Sequence, residues 1–415
     1  MNPFVTLDGL VAPLAQGSCH VASSHMITPK ANTSASSRRA REARPPRPAG
    51  APPIPVTTDD LVAAAVRVWM SSPCRNASIS TGSPSFNTAM GPPITASGTT
   101  CPITKPRLAP EKRPSVIGIN RSKVFAFSDG LSSGELQGMS EALGETWTAK
   151  FKDAEGLPLE LIASRLPEEE AFFARMNAKV WAMTQEMFSS RVIVPGKTRA
   201  SDLVWWWRQR VADEGLGTWF QPSIEVQRRG KASEELGEDP VILRGDVLHC
   251  DVGITVARLN TDTQHMAYVL KPGETAAPAG LAKALANANR MQDFAMEEIR
   301  PGRTGNEALK GVLDRMKAAG ITGTMYSHPI GMHGHGAGPL VGLWDMQSGV
   351  PGRGDAKVRP SMWFSIELQA TTPVPEWNNQ PVRMAQEEDM IVGADGKTRW
   401  ALKRQDQLFL VKPAK

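Results

Sequence analysis

Hydrophobic side chains recur every three or four residues in a long stretch that begins at Pro167. A proline costs little in the first turn of a helix, and the three glutamates that follow it suit the positive end of the helix dipole. The apolar positions from Phe172 to Met187 form a single stripe. The pattern predicts a helix over 167–190 whose aromatic and methionine side lies in the core.

Similar periodic patterns predict three more helices, over 201–214, 279–299 and 305–319. The first of these begins with Ser201 and Asp202, which are typical capping residues, and contains three consecutive tryptophans that must face different sides. We expect at least one tryptophan to meet another element or subunit. Strand-like segments lie over 218–228, 241–254, 262–270, 361–370 and 382–392, with a turn at 244–246. This order of elements predicts an α+β fold in which helices cover a curved antiparallel sheet.

The first 115 residues differ from the rest of the chain. They carry twelve Lys or Arg against five Asp or Glu, whereas the remainder is slightly acidic. Apart from a helix-like run over 61–70, they show almost no periodic apolar pattern. We expect a disordered basic segment, because such a composition buries too little surface to offset the entropy of ordering. Residues 116–163 alternate short apolar runs with turn residues, which indicates a mixed α/β texture.

Composition excludes several classes of protein. The formal net charge of +5 arises from the first segment, so the body does not indicate a nucleic-acid partner. No run approaches the roughly 18 apolar residues of a membrane span. The first residues lack the basic and apolar regions of a signal peptide, and the four cysteines form no CxxC pair. We therefore expect a cytoplasmic protein without a membrane partner.

Possible metal ligands are concentrated at a few places in the body of the chain. Asp251 and Asp262 lie 11 residues apart on two predicted strands, and the turn between them can bring the two carboxylates side by side. Three of the seven histidines, His328, His333 and His335, lie in one glycine-rich segment. Aspartates and histidines placed in this way predict a metal site.

Two late strands add further acids. Glu367 stands between isoleucine and leucine, where a lone buried charge would be costly. Glu387 and Glu388 are adjacent on the next predicted strand, and because a strand alternates faces, only one of them can point inward. Arg383 lies four residues before Glu387 and therefore on its face. With Thr263, which follows an aspartate, it is a candidate to support the ligands from behind.

Two aspartates, one histidine and two glutamates form a hard, oxygen-dominated ligand set. One metal ion rarely needs four carboxylates, whereas two ions that share bridging carboxylates do. Such a pair lowers the pKa of a bridging water and polarises a carbonyl for attack. Mn, Co, Fe or Zn would accept these donors, and the residues do not select among them.

The order Asp–Asp–His–Glu–Glu resembles the pita-bread metallopeptidases, which include methionine aminopeptidases, Xaa-Pro aminopeptidases, prolidases and creatinases. The motifs that carry the resemblance are Gly245-Asp246, Asp251-Val252-Gly253 and Gly334-His335-Gly336-Ala337-Gly338. In its local sequence the chain resembles the Xaa-Pro aminopeptidases more than the methionine aminopeptidases. The resemblance implies a pita-bread fold, with residues 161–415 as the catalytic domain and 116–160 as the remnant of a small N-terminal α/β domain.

The same resemblance implies a function. The expected enzyme is a hydrolase dependent on two divalent metal ions, which cleaves an N-terminal peptide bond by attack of a metal-bridging water. It would be of the Xaa-Pro aminopeptidase or dipeptidase type and act on peptides or dipeptides. The resemblance also implies a homodimer, with which the tryptophan cluster is consistent.

Roles for the ligands follow from the resemblance. Asp251 would chelate one metal, and Asp262 and Glu387 would bridge both. His335 and Glu367 would complete the other metal, and Glu367 would also act as general acid and base for the attacking water.

The chain departs from the family pattern at two places. A histidine seven residues after the ligand histidine is expected, and Gly342 stands there; another is expected before the first aspartate, where the chain has Gln221. His333, ranked first, and His328 are candidates to take over the polarisation of the substrate. His333 also remains an alternative to His335 as the ligand.

Other functions stay open. A catalytically inactive pita-bread module would use the cleft to bind a partner. A creatinase-like hydrolase would cleave a non-peptide C–N bond, although creatinases lack this ligand set. Cys250 as a nucleophile would need a positioned histidine base.

Overall fold

The computed structural model describes residues 114–412. The disorder predicted for the first segment and the helix-like run over 61–70 therefore lie outside the described residues, apart from positions 114 and 115. Within the described range, no helix combines the length and the apolar character needed to cross a membrane.

Seven α-helices and twelve β-strands make up this range. The helices are α1 Ser133–Leu143, α2 Glu145–Thr148, α3 Gly156–Ala163, α4 Pro167–Met187, α5 Ala200–Asp213, α6 Ala279–Glu298 and α7 Gly305–Ala318. The strands are β1 Ile117–Ile119, β2 Phe151–Asp153, β3 Ser223–Gln227, β4 Val247–Val252, β5 Thr255–Val256, β6 Leu259–Asn260, β7 Thr263–Val269, β8 Thr322–Ile330, β9 Trp363–Val374, β10 Gln380–Val392, β11 Thr398–Trp400 and β12 Phe409–Val411.

Each of the four predicted helices is present, and first-turn acids accept backbone N–H groups at the starts of α4 and α5. Helix α5 begins at Ala200, so Ser201 and Asp202, predicted as caps, lie within its first turn. At the start of α4 the side chain of Glu169 accepts a hydrogen bond from the Leu166 N–H at 2.8 Å. At the start of α5 Asp202 accepts from the Arg199 N–H at 2.8 Å. These side chains satisfy N–H groups that have no partner inside the helix. Of the three tryptophans on α5, Trp207 is buried within this chain and Trp205 is 64% exposed.

One eight-stranded sheet forms the centre of the fold. Six strands follow one another in the order β3-β4-β7-β10-β9-β8, all antiparallel, while β12 pairs in parallel with β7 and β11 pairs with β10. The predicted α+β architecture with an antiparallel sheet is therefore confirmed.

The sheet consists of two halves that meet at one point. Strands β3, β4 and β7 form the first half, and β8, β9 and β10 form the second. The register between β7 and β10 contains a single pair, Gln264 opposite Glu387. After this pair β7 and β10 separate. Residues 267–269 of β7 pair with β12 instead, and residues 390–392 of β10 pair with β11. Side chains from strands that are distant in the chain therefore come together at the Gln264–Glu387 pair.

Helices cover the back of each half. Leu248 and Cys250 of β4 are buried in a cluster with Phe172 of α4 and Trp207 of α5. Ile366 and Leu368 of β9 lie in a second cluster with side chains of α6 and α7. Because side chains alternate along a strand, the residues between these apolar positions face the opposite side, where the candidate ligands lie.

Three strand predictions differ from the structure. Of the segment predicted over 241–254, only β4, Val247–Val252, is a strand of the large sheet, because residues 244–245 form a turn before it. The predicted strand over 218–228 is confined to β3, because the preceding segment turns inward and the Trp219 indole N–H donates to the Thr261 carbonyl at 3.1 Å. Strand β8, which carries His328, was not predicted. Its Gly323 and Pro329 are residues that strands usually avoid, and Pro329 is tolerated here because β8 lies at the end of the six-strand order.

Residues 117–163 contain the parallel pair β1–β2 and three short helices. This matches the mixed texture expected for 116–163. Their interpretation as the remnant of an N-terminal domain stays a prediction.

Candidate active site

A row of polar side chains crosses the sheet where its halves meet. The register places Asp251 of β4 opposite Gln264 of β7, Gln264 opposite Glu387 of β10, Glu387 opposite Glu367 of β9, and Glu367 opposite Tyr326 of β8. Residues directly opposite each other in antiparallel strands point to the same face. Five neighbouring strands thus present one polar row on one face.

Asp262 and His328 extend this row. Asp262 lies two residues before Gln264 and His328 two residues after Tyr326, so both share its face. The His328 Nε2 atom lies 3.4 Å from Glu387 Oε1 and 3.6 Å from Asp262 Oδ2. The histidine therefore faces carboxylates from both halves of the sheet.

Three groups of side chains bring their ligand atoms within 4.8 Å of one another. They are Asp251 with Asp262 and Glu387, His328 with Glu367 and Glu387, and Asp262 with His328 and His335. All five predicted ligands occur in these groups. So does His328, which the sequence predicts to polarise the substrate. Asp262, His328 and Glu387 each belong to two groups, which therefore overlap.

The carboxylates of this cluster are strongly perturbed. Burial, with the nearby Glu387 carboxylate second, raises the pKa of Asp251 to about 8. Burial, reinforced by Glu387 and Asp251, also raises the pKa values of Asp262 and Glu367 well above their usual range. Several acids that share one water-poor space cannot all remain charged without a cation.

Buried atoms without a hydrogen-bond partner test whether a metal fits here. Among the described residues, Asp251 Oδ1, Asp262 Oδ1 and His328 Nε2 have none. The other ring nitrogen of His328, Nδ1, lies 3.1 Å from the Pro329 carbonyl oxygen and can only donate to it, which leaves Nε2 unprotonated in the neutral ring. Unpaired carboxylate oxygens and a bare imidazole nitrogen are the donors that a divalent transition metal requires. The residues present therefore fit the predicted metal.

His335 lies at the mouth of this cluster. Its ring meets the rings of His328 at 4.6 Å and Trp219 at 5.0 Å, while part of the side chain stays exposed. Packing against protein, with His328 second, lowers the pKa of His335 to about 4. His335 is thus a neutral imidazole at neutral pH, as a metal ligand or a substrate contact requires.

His333 lies away from the three groups. Its ring packs against the ring of Phe127, with centroids 4.3 Å apart and the ring planes tilted by 35°. Partial burial, with Arg165 and Arg258 next, lowers its pKa. Its place as the first-ranked residue for polarising the substrate has no support in this geometry and stays a prediction.

The two supporting residues contact the ligands less directly than expected. The Thr263 hydroxyl donates to the Val252 carbonyl at 3.2 Å and so links β7 to β4. The Arg383 guanidinium donates to Gln369 at 2.9 Å and pairs with Glu225. Arg383 shares the face of Glu387 as predicted, but its side-chain partners are other residues.

Glu388 points to the back of the sheet. Its Oε1 atom lies 3.0 Å from His265 Nε2 and accepts from the Gln405 N–H at 2.9 Å. Of the two adjacent glutamates, the geometry therefore brings only Glu387 to the candidate site. Cys250 is on this back face as well, and burial raises the pKa of its thiol, which disfavours the nucleophile hypothesis.

Three groups at the site escaped the sequence reasoning. Gln264 donates to Glu367 and Glu387, Asp389 is a further buried acid whose carboxylate accepts from the Asp262 N–H at 3.4 Å, and Tyr326 lies opposite Glu367. The alternation of side chains along a strand could have indicated two of them. Gln264 lies two residues after Asp262, and Asp389 lies two residues after Glu387, so each shares the face of a predicted ligand.

The sequence model of metallopeptidase family M24 matches residues 174–394, more than half of the chain. The chain belongs to this family and is therefore a metallopeptidase, of a class that uses divalent metals. No curated protein matches it.

Solved structures give likenesses at low identity. The X-Pro aminopeptidase of Thermotoga maritima MSB8 is 17% identical with a TM-score of 0.50, over 68% of this chain and 73% of that one. A dipeptidase of Pyrococcus horikoshii OT3 is 18% identical with a TM-score of 0.49, over 68% and 72%. The Xaa-Pro dipeptidase of Bacillus anthracis is 19% identical with a TM-score of 0.45, over 68% and 72%. With the family match, the first of these confirms the pita-bread fold.

Proposed function

We propose that this protein hydrolyses the N-terminal peptide bond of short peptides with the help of two divalent metal ions. The observation that carries the proposal is the convergence of four carboxylates and a bare histidine nitrogen within the three overlapping groups around Glu387. When bound, the metal ions would supply a water of lowered pKa and polarise the carbonyl of the scissile bond.

We assign the ligand histidine to His328 and give His335 a role toward the substrate. His328 is fully buried, its Nε2 atom has no hydrogen-bond partner, and it groups with Glu367 and Glu387. His335 is seven residues further along the chain and partly exposed at the mouth. The expected histidine seven residues after the ligand is then His335, and Gly342 ceases to be a departure.

Glu367 is the residue we assign to proton transfer. Its Oε1 atom accepts a hydrogen bond from Gln264 at 2.6 Å, which leaves Oε2 to take the proton of the attacking water and return it to the leaving amine.

Arg353 favours a substrate with a free carboxylate. Partial burial lowers its pKa, and among the described residues its guanidinium has no acidic partner, only the Gly336 carbonyl at 3.2 Å. It lies close enough to His335 and Tyr326 for its charge to affect both. A half-buried arginine without a counter-ion suits a substrate carboxylate. We therefore propose a dipeptidase rather than an enzyme for long chains.

Aromatic rings around His335 suit an apolar side chain such as proline. Trp219 meets His335 at 5.0 Å, and Tyr326 contacts His335 at 6.2 Å and Trp344 at 5.7 Å between ring centroids. Such a lining accommodates a proline residue after the scissile bond, and it accommodates other apolar side chains as well.

A peptide panel tests the proposal. Protein loaded with Mn²⁺, Co²⁺ or Zn²⁺ is offered dipeptides with and without proline in second position, each with a free or amidated C-terminus. Faster hydrolysis of the dipeptides with a free C-terminal carboxylate is expected. The wild-type chain should bind about two equivalents of metal, and Asp262→Asn should bind far less. Bound metal without peptide hydrolysis would favour a non-peptide C–N bond, and a wild-type chain that takes up no metal would favour a binding module.

We also propose a homodimer, as the family resemblance implies. Trp205, 64% exposed on α5 with the Arg208 guanidinium 4.7 Å from its ring, is a candidate interface residue. Sedimentation velocity of wild type and Trp205→Ala tests this, and a monomeric wild type at micromolar concentration would contradict it.

A further inference from the structure

Gln264 occupies the one register position that joins the two halves of the sheet. Its buried side chain donates from Nε2 to Glu367 Oε1 at 2.6 Å and to Glu387 Oε2 at 2.8 Å. One amide group therefore uses both of its N–H bonds on two carboxylates that belong to two different strands.

His249 holds this amide in one orientation. A carboxylate oxygen accepts hydrogen bonds, so the amide nitrogen of Gln264 must face the two glutamates and its oxygen must face away. That oxygen lies 2.8 Å from His249 Nε2, which must donate. The buried imidazole thereby opposes a flip of the amide, which would place an oxygen against two carboxylates.

The other ring nitrogen of His249 makes no hydrogen bond. Nδ1 lies 3.5 Å from Glu225 Oε2, and Glu225 pairs with Arg383. Because Nε2 carries the proton that is donated to Gln264, Nδ1 of the neutral ring has none to give to Glu225, and the hydrogen-bonded set consists of His249, Gln264 and the two glutamates.

We propose that Gln264 and His249 act as positioning residues that hold Glu367 and Glu387 ready for a divalent cation; this inference rests on the proposed function. Two carboxylates that approach each other without a cation repel, and two N–H donors offset that repulsion at a fixed distance. Each glutamate keeps its second oxygen, Glu367 Oε2 and Glu387 Oε1, free of the amide. The pair therefore orders the glutamates before the metal arrives.

Metal binding to the full chain tests the proposal directly. Isothermal titration of chelated protein with Mn²⁺, followed by the electron paramagnetic resonance spectrum of the bound ion, is measured for wild type, Gln264→Leu and Gln264→Glu. We expect about 10-fold weaker binding in Gln264→Leu, as for other groups that orient metal ligands, and an altered spectrum. Gln264→Glu replaces both donors with acceptors. It should destabilise the metal-free site at least as much as Gln264→Leu does, which lowers the melting temperature of the chelated protein.

Matched variants separate positioning from packing. Gln292→Leu removes a buried amide of α6 that makes no hydrogen bond to these groups, and it should leave the Mn²⁺ affinity unchanged. His249→Leu should weaken binding, whereas His249→Gln, which retains a donor, should restore part of the affinity.

Three results would overturn the proposal. Unchanged affinity and spectrum in Gln264→Leu would mean that the amide only fills space, and tighter binding would mean that it competes with the metal. A wild type that binds no metal would overturn both the positioning role and the proposed function. Metal binding that depends on Gln264 in a protein without peptidase activity would instead overturn the proposed function alone.

Discussion

Glu387 and Glu388 are neighbours on β10, and both are almost completely buried, yet their surroundings are opposite. Glu388, on the back of the sheet, has the His265 imidazole and the Gln405 N–H as partners. Glu387, on the front, accepts hydrogen bonds from neutral Ser365 and Gln264 and shares its space with the acids Asp251, Asp262 and Glu367.

This difference separates a structural acid from a candidate metal ligand. On the back, one carboxylate faces one imidazole and one backbone N–H. On the front, four carboxylates lie close to a single fully buried imidazole, His328. Burial and mutual repulsion raise the pKa values of Asp251, Asp262 and Glu367, so the further compensating cation must come from outside. Burial of a carboxylate alone therefore does not identify a metal site, whereas a surplus of buried acids does.

The largest expected effect concerns the front glutamate. Glu387→Gln should lower peptide hydrolysis by about three orders of magnitude, since it removes a ligand shared by both proposed ions and several kcal/mol of transition-state stabilisation. Turnover and metal content measured on the same sample check this. If Glu387→Gln kept its metal and its turnover while Glu388→Gln lost them, the assignment of the two faces would be reversed.

Next in size is the choice between the histidines. His328→Ala should lose metal and about 100-fold of activity, because it removes a proposed ligand. His335→Ala should keep its metal and instead raise KM or lower kcat. Elemental analysis beside steady-state kinetics distinguishes them, and metal loss confined to His335→Ala would restore the original sequence-based assignment.

The back glutamate should affect stability and leave the metal in place. Glu388→Gln weakens the contact with His265 and should reduce the free energy of unfolding by about 1–3 kcal/mol. Denaturant titration of the metal-loaded variant checks the size of the loss. Altered metal stoichiometry in this variant would show that the two faces are coupled.

The smallest effect concerns pH in chelated protein. The folded-state pKa of Asp251, about 8, lies above its unfolded value, so the folded state binds the extra proton between the two values. Stability should then fall as pH rises toward 8, on the order of 1 kcal/mol per pH unit, and metal should remove the effect. Melting temperatures at pH 6 and 8, with and without chelator, test this; a chelated protein more stable at pH 8 would contradict the raised pKa.

Much of the fold could be predicted because its determinants are local. The apolar stripe of α4 and its first-turn proline and acids act within a few residues, and the observed helix Pro167–Met187 lies within the predicted range. Strand β8 was missed because its glycine and proline obscure the local pattern, while its existence depends on pairing with β9 along the whole length of β8. Non-local pairing leaves little trace in a single segment.

The sequence by itself determined which acids and histidines are available, and the two-residue period alone required Glu387 and Glu388 to face opposite sides. It did not decide which face receives His265, which histidine meets the carboxylates, or that Gln264 lies between Glu367 and Glu387. Those facts depend on the register between strands that are distant in the chain, as in the hydrogen bond from Gln264 to Glu387 with a separation of 123. A side chain's face follows from its own strand, but its partners across the sheet follow only from how distant strands align.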